Sequence, residues 1–243
     1  MRTLTFARRV AKEVLRDPIN LVFGLGFPLV LLFLLSAIQS NVPVDLFEIE
    51  KLTPGIAVFG LSFMTLFSAT LVSKDRESAF LQRLYTTPLR SGDFILGYLL
   101  SLLPIAILQT AVCYLAAVPL GLTLSVRIVY SVLVTVPMAV FNISLGILCG
   151  SVLGSRQVGG ICGALLTNLS AWMSGVWFDL GLVGSFFEKL AFCLPFVHAV
   201  RLSQTVLSGE NASVFPHVLT VLLYALLVGC AAVICFLRQM KQQ

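Results

Sequence analysis

The sequence predicts an all-α integral membrane protein, and its composition and the spacing of its apolar runs carry the prediction. Hydrophobic residues make up 58% of the 243 residues and charged residues only 11%, against about 25% in soluble domains. The apolar residues form six long runs, each close to the ~20 residues that a helix needs to cross a bilayer. The cations lie at the ends of these runs, so the net charge of +5 indicates membrane topology rather than nucleic-acid binding.

The amino-terminal segment, residues 1–17, is amphipathic. Apolar residues fall on one face of a helix drawn through it, and charged residues take the other face. The apolar face comprises Leu4, Ala7, Val10, Ala11, Val14 and Leu15, and the charged face Arg8, Arg9, Lys12, Glu13 and Arg16. This pattern predicts an interfacial helix lying in the plane of the membrane, with a plain basic topology anchor as the alternative.

Six membrane spans follow this helix. They are predicted at about 18–38, 53–73, 94–118, 128–152, 157–177 and 215–237. If the amino terminus is cytoplasmic, twelve of the 16 Lys and Arg residues lie on the inner side and four on the outer side. The excess of inner cations predicts that both termini are cytoplasmic.

Two segments have features that an ordinary membrane span or a solvated loop does not explain. Residues 178–214, before the last span, are too apolar for a solvated loop, and we expect short helices that enter the outer leaflet from outside. In the fourth span, Gly146, Gly150 and Gly154 form two overlapping GxxxG steps, which let helix backbones approach closely. The pattern leaves open whether that approach occurs within one subunit or across a dimer.

The stretch 74-KDRESAFLQRLYTTPLRSGD-93 is the first cytoplasmic loop in this topology. We predict a helix over 73–88, capped by Ser73, with Asp75 and Glu77 in its first turn. Four apolar side chains would form a ridge on it: Phe80, Leu81, Leu84 and Tyr85. Such a ridge must be covered by lipid headgroups, by the subunit's own spans or by a soluble partner.

Known catalytic and nucleotide-binding motifs do not occur in the sequence. It has no GxxxxGK[ST] phosphate-binding loop, no HExxH and no GxSxG. Its two histidines, His198 and His217, have no neighbours in sequence that complete a metal site. The spans contain no Asp, Glu, Lys or Arg, and His217 lies only at the start of the last one, so no ionisable residue of the kind that proton-driven carriers use lies deep in a span. No residue cluster suggests a membrane enzyme. A sodium-coupled carrier with backbone ligands stays possible on this reasoning.

The charged loop resembles that of the ABC-2 type transporter permeases, whose pattern after the second span is close to E-R-E-x-G-T-L-E-R-L-x-x-T-P-L. The matching residues in 75-DRESAFLQRLYTTPL-89 are Arg76, Glu77, Leu81, Arg83, Leu84, Thr87, Pro88 and Leu89, while Ala79, Phe80 and Gln82 depart from it. A second stretch, 194-LPFVHAVRLSQTVLSG-209, is similar to the family at Pro195, Ala199, Val200 and Gly209. The order of elements extends the resemblance over nearly the whole chain.

The resemblance implies that residues 1–243 form one transmembrane permease domain, with 74–92 as a cytoplasmic coupling loop that docks on a separate ATPase subunit. The docking residues would be Arg76, Glu77, Phe80, Leu81, Arg83, Leu84 and Tyr85. ATP and Mg²⁺ would bind to that partner, and this chain would need no cofactor and would not itself be an enzyme. A second permease subunit, identical or related, would complete a dimer in the inner or plasma membrane.

The resemblance also implies a transport path, because the second and fifth spans of such permeases tend to face the dimer axis. Its residues would be Phe59, Phe63, Met64, Phe67, Asn168, Trp172 and Met173. Aromatic and methionine side chains suit a hydrophobic or amphipathic cargo, and drug or antibiotic efflux is the favoured function. The alternative is a secondary carrier or channel that works without ATP.

Overall fold

The protein is helical throughout the residues described by a computed structural model, which are 2–42, 45–78, 91–209 and 214–242. No strand occurs among them, which confirms the all-α prediction. The helices are α1 (Arg2–Leu15), α2 (Val22–Asn41), α3 (Ile49–Glu77), α4 (Ser91–Ala117), α5 (Val126–Val152), α6 (155–173), α7 (Ser185–Cys193), α8 (Pro195–Ser208) and α9 (Val214–Gln242). Short helical turns lie between them at Pro18–Leu21, Asp45–Phe47, Val118–Leu120 and Leu180–Leu182.

Five of these helices are long and apolar enough to cross a membrane: α2, α3, α4, α5 and α9. They coincide with the first four predicted spans and the last one. Helices α7 and α8 form a pair bent by 80°, which is either a broken span or a re-entrant loop. Short helices were predicted at this place, before the last span. Counting the pair as one span gives six spans. The predicted fifth span forms helix α6, which includes a π-helical stretch at Gly159–Leu166. Helix α6 is not among the five helices that are long and apolar enough to cross a membrane.

Helix α3 is the centre of the bundle. In the most apolar 18-residue stretch of each helix, 89% of the residues of α3 are buried, compared with 22% for α2 and 17% for α9. Its first half packs against α4 and α8, and its second half packs along α5. The two halves, Ile49–Gly60 and Phe63–Glu77, are separated by a turn at 61–62. The peripheral helices therefore present apolar side chains to the lipid, while α3 is enclosed by protein.

The contact between α3 and α5 depends on small residues. A Cβ atom at Gly150 would lie 2.6 Å from the carbonyl oxygen of Ala69, and one at Gly146 would overlap Ser68. The Ser68 hydroxyl donates to the Ile143 carbonyl at 3.0 Å, across the same contact. Close backbone approach and interhelical hydrogen bonds are how helices associate in membranes. For Gly146 and Gly150, the structure thus places the GxxxG contact within one subunit.

Helix α1 packs on α4 through an apolar stripe that overlaps the predicted one in part. Phe6 is buried and makes edge-to-face contacts with Phe94 and Tyr98 of α4, at centroid distances of 5.3 Å and 5.2 Å. The predicted stripe members Leu4 and Leu15 are instead 70% and 62% exposed. The covered stripe keeps Ala7, Val10 and Val14 of the predicted one and extends to Phe6, because α4 contacts α1 from that side.

The predicted start of the coupling helix at Ser73 is wrong. The second half of α3 is helical from Phe63 to Glu77, so Ser73 lies inside it and its hydroxyl donates to the Thr70 carbonyl at 3.1 Å. Asp75 and Glu77 accordingly lie in the last turn of α3 instead of a new first turn. The predicted loop residues from 79 to 90 lie outside the described residues, and with them the whole apolar ridge and Arg83.

Candidate coupling site and translocation path

The end of α3 is bound to three other parts of the protein through consecutive residues. Asp75, Arg76 and Glu77 close the helix immediately before the predicted coupling loop. Because successive helical residues point about 100° apart, three neighbours can reach three different directions. We call these three residues the α3 terminus.

Asp75 is buried and joins the α3 terminus to α1 and α4. One of its carboxylate oxygens accepts a hydrogen bond from Arg9 of α1 at 3.2 Å. The other accepts from the Tyr98 hydroxyl of α4 at 2.7 Å. Only 6% of the Asp75 side chain is exposed, so these partners replace the water that a carboxylate would otherwise need. Sequence reasoning did not identify Asp75 as a linking residue.

Arg76 and Glu77 hold the connection between α5 and α6. The Arg76 guanidinium donates to the carbonyl of Ser151 and, at 2.7 Å, to the carbonyl of Leu153. The Glu77 carboxylate accepts from the backbone N–H of Ser155, the first residue of α6, at 2.7 Å. The structure therefore engages both predicted docking residues with backbone groups of residues 151–155. We call this set of contacts the 151–155 clasp.

Four residues of the predicted path lie in the buried interior of this subunit. Phe59, Phe63, Met64 and Phe67 of α3 are each at most 8% exposed. Phe59 and Phe63 are in edge-to-face contact at 5.9 Å, and Phe59 also meets Trp177 at 5.8 Å. The aromatic cluster therefore fills space between helices in this conformation.

The path residues on α6 divide between the surface and the interior. Asn168 and Trp172, one helical turn apart, are exposed, and Trp172 is 53% exposed. Met173 is 4% exposed and packs inward. The Asn168 amide donates to the Ala164 carbonyl of its own helix at 2.8 Å, which satisfies one donor of this exposed polar group.

A seam of polar side chains joins α3 and α5, and sequence reasoning did not predict it. The Thr65 hydroxyl is within 3.0 Å of the Asn142 carbonyl and 3.1 Å of its side-chain oxygen. Ser68 continues the seam with the bond to Ile143 described above. Threonine and serine at a spacing of three in the second span, with an asparagine in the fourth, were the available signal. Such bonds stabilise the α3–α5 contact.

The two histidines meet on the side of the bundle opposite the α3 terminus. Their Nδ1 atoms, on α8 and α9, are 2.8 Å apart, and the Nε2 atom of His198 is 2.9 Å from the Phe192 carbonyl. Across the described ranges, no group of three or more His, Cys, Asp or Glu side chains could hold a metal ion. The pair acts as a hydrogen-bonded link between α8 and the last span, α9.

Comparison with known proteins adds two findings to this geometry. The family model of the ABC-2 type transporter matches residues 1–207. Proteins named as transport permease ycf38 are similar to the chain: that of Porphyra purpurea is 37% identical over 94 residues, and that of Pyropia yezoensis 32% identical over 124 residues. These matches cover 37% and 46% of this chain, and 32% and 43% of the two relatives.

The family match covers most of the membrane domain, from α1 through nearly all of α8. It includes the α3 terminus, the 151–155 clasp and every residue of the predicted path. With five helices able to cross a membrane, the protein is a multi-pass membrane transport subunit. The chain belongs to the ABC-2 type transporter family.

Proposed function

We propose that this chain is the membrane subunit of an ATP-driven exporter and that a separate ATPase subunit docks on the loop after α3. One observation supports this most directly: the α3 terminus, which leads into that loop, is bound to α1, α4 and the 151–155 connection. A force applied to the loop would therefore reach several helices together.

The bonds of the α3 terminus suit a mechanical role because they are charge-assisted. Hydrogen bonds in which one partner is ionised are shorter and stronger than those between neutral groups. The planar guanidinium of Arg76 donates to two carbonyls, and the Glu77 carboxylate accepts from the first backbone N–H of α6. In the proposed cycle, ATP binding by the partner displaces the loop, and the clasp moves α6 together with α3.

The proposed cargo is hydrophobic or amphipathic, with drug or antibiotic efflux favoured. The proposed path lies along α3 and α6, where Phe59, Phe63 and Phe67 are packed against neighbouring helices and Trp172 is exposed. Joint movement of α3 and α6 away from the neighbouring helices would uncover the aromatic side chains to a cargo. The exposed face of α6 would meet a second permease subunit, identical or related, across a dimer axis.

The ATPase is proposed as a partner because the 243 residues contain no phosphate-binding loop and no Gly-Lys pair. A secondary carrier or channel is the second candidate. Its support is the transport-permease name of the relatives, which does not state an energy source. The chain spans less than half the length of those relatives, so partners and substrates are proposals for this protein.

The proposal is tested by tagging the chain in its native host, extracting it in mild detergent and identifying the proteins that co-purify. We expect a soluble protein with a phosphate-binding loop, in stoichiometric amount, and ATPase activity in the purified complex. A chain that purifies alone and moves solute into liposomes without ATP would favour the carrier or channel.

A further inference from the structure

Three cations form a line along the exposed side of α1. Arg8, Lys12 and Arg16 recur every fourth residue, so they lie above one another on the helix surface. All three are exposed, and none forms an ion pair with a carboxylate of the described chain. Arg9 differs, because it turns toward Glu13 at 3.3 Å and Asp75 at 3.2 Å. We call Arg8, Lys12 and Arg16 the cationic edge.

The cationic edge borders an open cleft of about 860 Å³. Two carboxylates also line this cleft, Glu13 and Asp17, and both have partners. Glu13 is paired with Arg9 at 3.3 Å, and Asp17 accepts from the Asn20 amide at 2.7 Å. The cleft therefore keeps an excess of positive charge with donors available to an anion.

An apolar strip runs beside the cationic edge. Leu4 and Leu15 are 70% and 62% exposed, and the helical spacing places them next to Arg8 and Lys12. The opposite edge of α1 is covered by Phe94 and Tyr98 of α4. An acidic soluble partner would account for the cations of α1 but not for the exposed leucines beside them. A lipid surface offers phosphates and acyl chains side by side, which accounts for both.

Chain geometry places the cationic edge near the headgroup layer. Arg16 stands six residues before Val22, where the first span begins. Six residues reach at most about 20 Å when fully extended, and Pro18–Leu21 is helical and hence shorter. Arg16 is thus held close to the boundary between acyl chains and headgroups.

We propose that the cationic edge is a binding site for the phosphate group of an anionic phospholipid, whose acyl chains contact Leu4 and Leu15. Lysine and arginine side chains at an acidic membrane surface each strengthen binding by about 1 kcal/mol, or about fivefold. A zwitterionic lipid carries its own cation, which would oppose the three positive side chains. The inference is independent of the proposed ATPase partner.

The test is native mass spectrometry of the full chain in detergent with added phosphatidylglycerol or phosphatidylcholine. We expect phosphatidylglycerol to be retained preferentially. The triple variant Arg8→Gln/Lys12→Gln/Arg16→Gln should weaken its binding by about 100-fold, from about fivefold per cation. The single variant Lys12→Gln should weaken it by about fivefold, which keeps the test valid if the triple variant does not fold.

Two controls separate the lipid from other occupants. The triple variant Arg156→Gln/Lys189→Gln/Arg238→Gln removes three exposed cations elsewhere and should leave phosphatidylglycerol binding unchanged. Inorganic phosphate should not displace the lipid more than sodium chloride of equal ionic strength does. Equal retention of the two lipids, unchanged binding in the cationic-edge variant or full displacement by inorganic phosphate would overturn the proposal.

Discussion

At the scale of single residues, the least expected feature is the buried carboxylate at the end of α3. Asp75 stands where the family pattern has a glutamate, a conservative difference, yet its partners could not be read from that pattern. They are Arg9, 66 positions earlier, and Tyr98, 23 positions later. Local spacing identifies charged residues, but pairing over such distances is decided by how the helices pack.

Replacing Tyr98 by Phe should destabilise the protein. The change removes the hydroxyl that donates to Asp75 at 2.7 Å and leaves one oxygen of a buried carboxylate without that partner. Loss of one partner of a buried group costs about 1–3 kcal/mol. The apparent melting temperature in detergent should fall. The matched control is Tyr130→Phe, at a side chain that is 56% exposed, which should melt as the unmodified protein does.

At the scale of helices, periodicity and length predicted the existence of the spans better than their ends. Five predicted spans coincide with helices that can cross a membrane. The boundary at Ser73 failed because the preceding backbone stayed helical to Glu77, and a serine can bond inside a helix as well as cap one. The stripe of α1 was recognised as amphipathic, but the sequence did not show which edge α4 covers.

The 151–155 clasp predicts that the end of α3 and the start of α6 move together. Spin labels can be placed at the exposed positions Lys74 and Arg156 through unnatural amino acids. The distance between them should stay narrowly distributed when ATP is added to the complex with its ATPase. In Arg76→Gln, which loses both carbonyl contacts, the distribution measured by pulsed electron paramagnetic resonance should broaden.

A matched control for this experiment is Arg127→Gln. Arg127 also donates to a backbone carbonyl, that of Ser208 at 2.8 Å, but does so between α5 and α8. It should leave the distance distribution between positions 74 and 156 unchanged. If Arg76→Gln gave the same narrow distribution as the unmodified protein, the clasp would not couple the two helices.

At the scale of the whole molecule, the family and the helical architecture followed from composition, apolar runs and the charged loop. The path residues were predicted as a group, but the burial of Phe59, Phe63 and Phe67 in this subunit could not be predicted, because a helix that is apolar on every side does not show which side packs against protein. The orientation in the membrane stays a prediction from Lys and Arg placement.

Orientation can be measured with a native cysteine. Cys193, at the end of α7, is exposed, and the predicted topology places it outside the cell. A membrane-impermeant maleimide should label it in intact cells, and Cys193→Ser should remove that labelling. Labelling that requires permeabilised cells would reverse the topology and place the loop after α3 outside.

The central claim is that an ATPase docks on the loop that follows α3, and one substitution tests it most directly. Leu84→Asp places a charge in the predicted apolar ridge, and co-purification of the ATPase with the tagged chain can be quantified against the unmodified protein. Leu182→Asp is the matched control, since Leu182 is 82% exposed in the segment predicted to face outside. We predict that Leu84→Asp reaches the membrane in normal amount but loses the ATPase, while Leu182→Asp retains it. Full recovery of the ATPase with Leu84→Asp would contradict the claim.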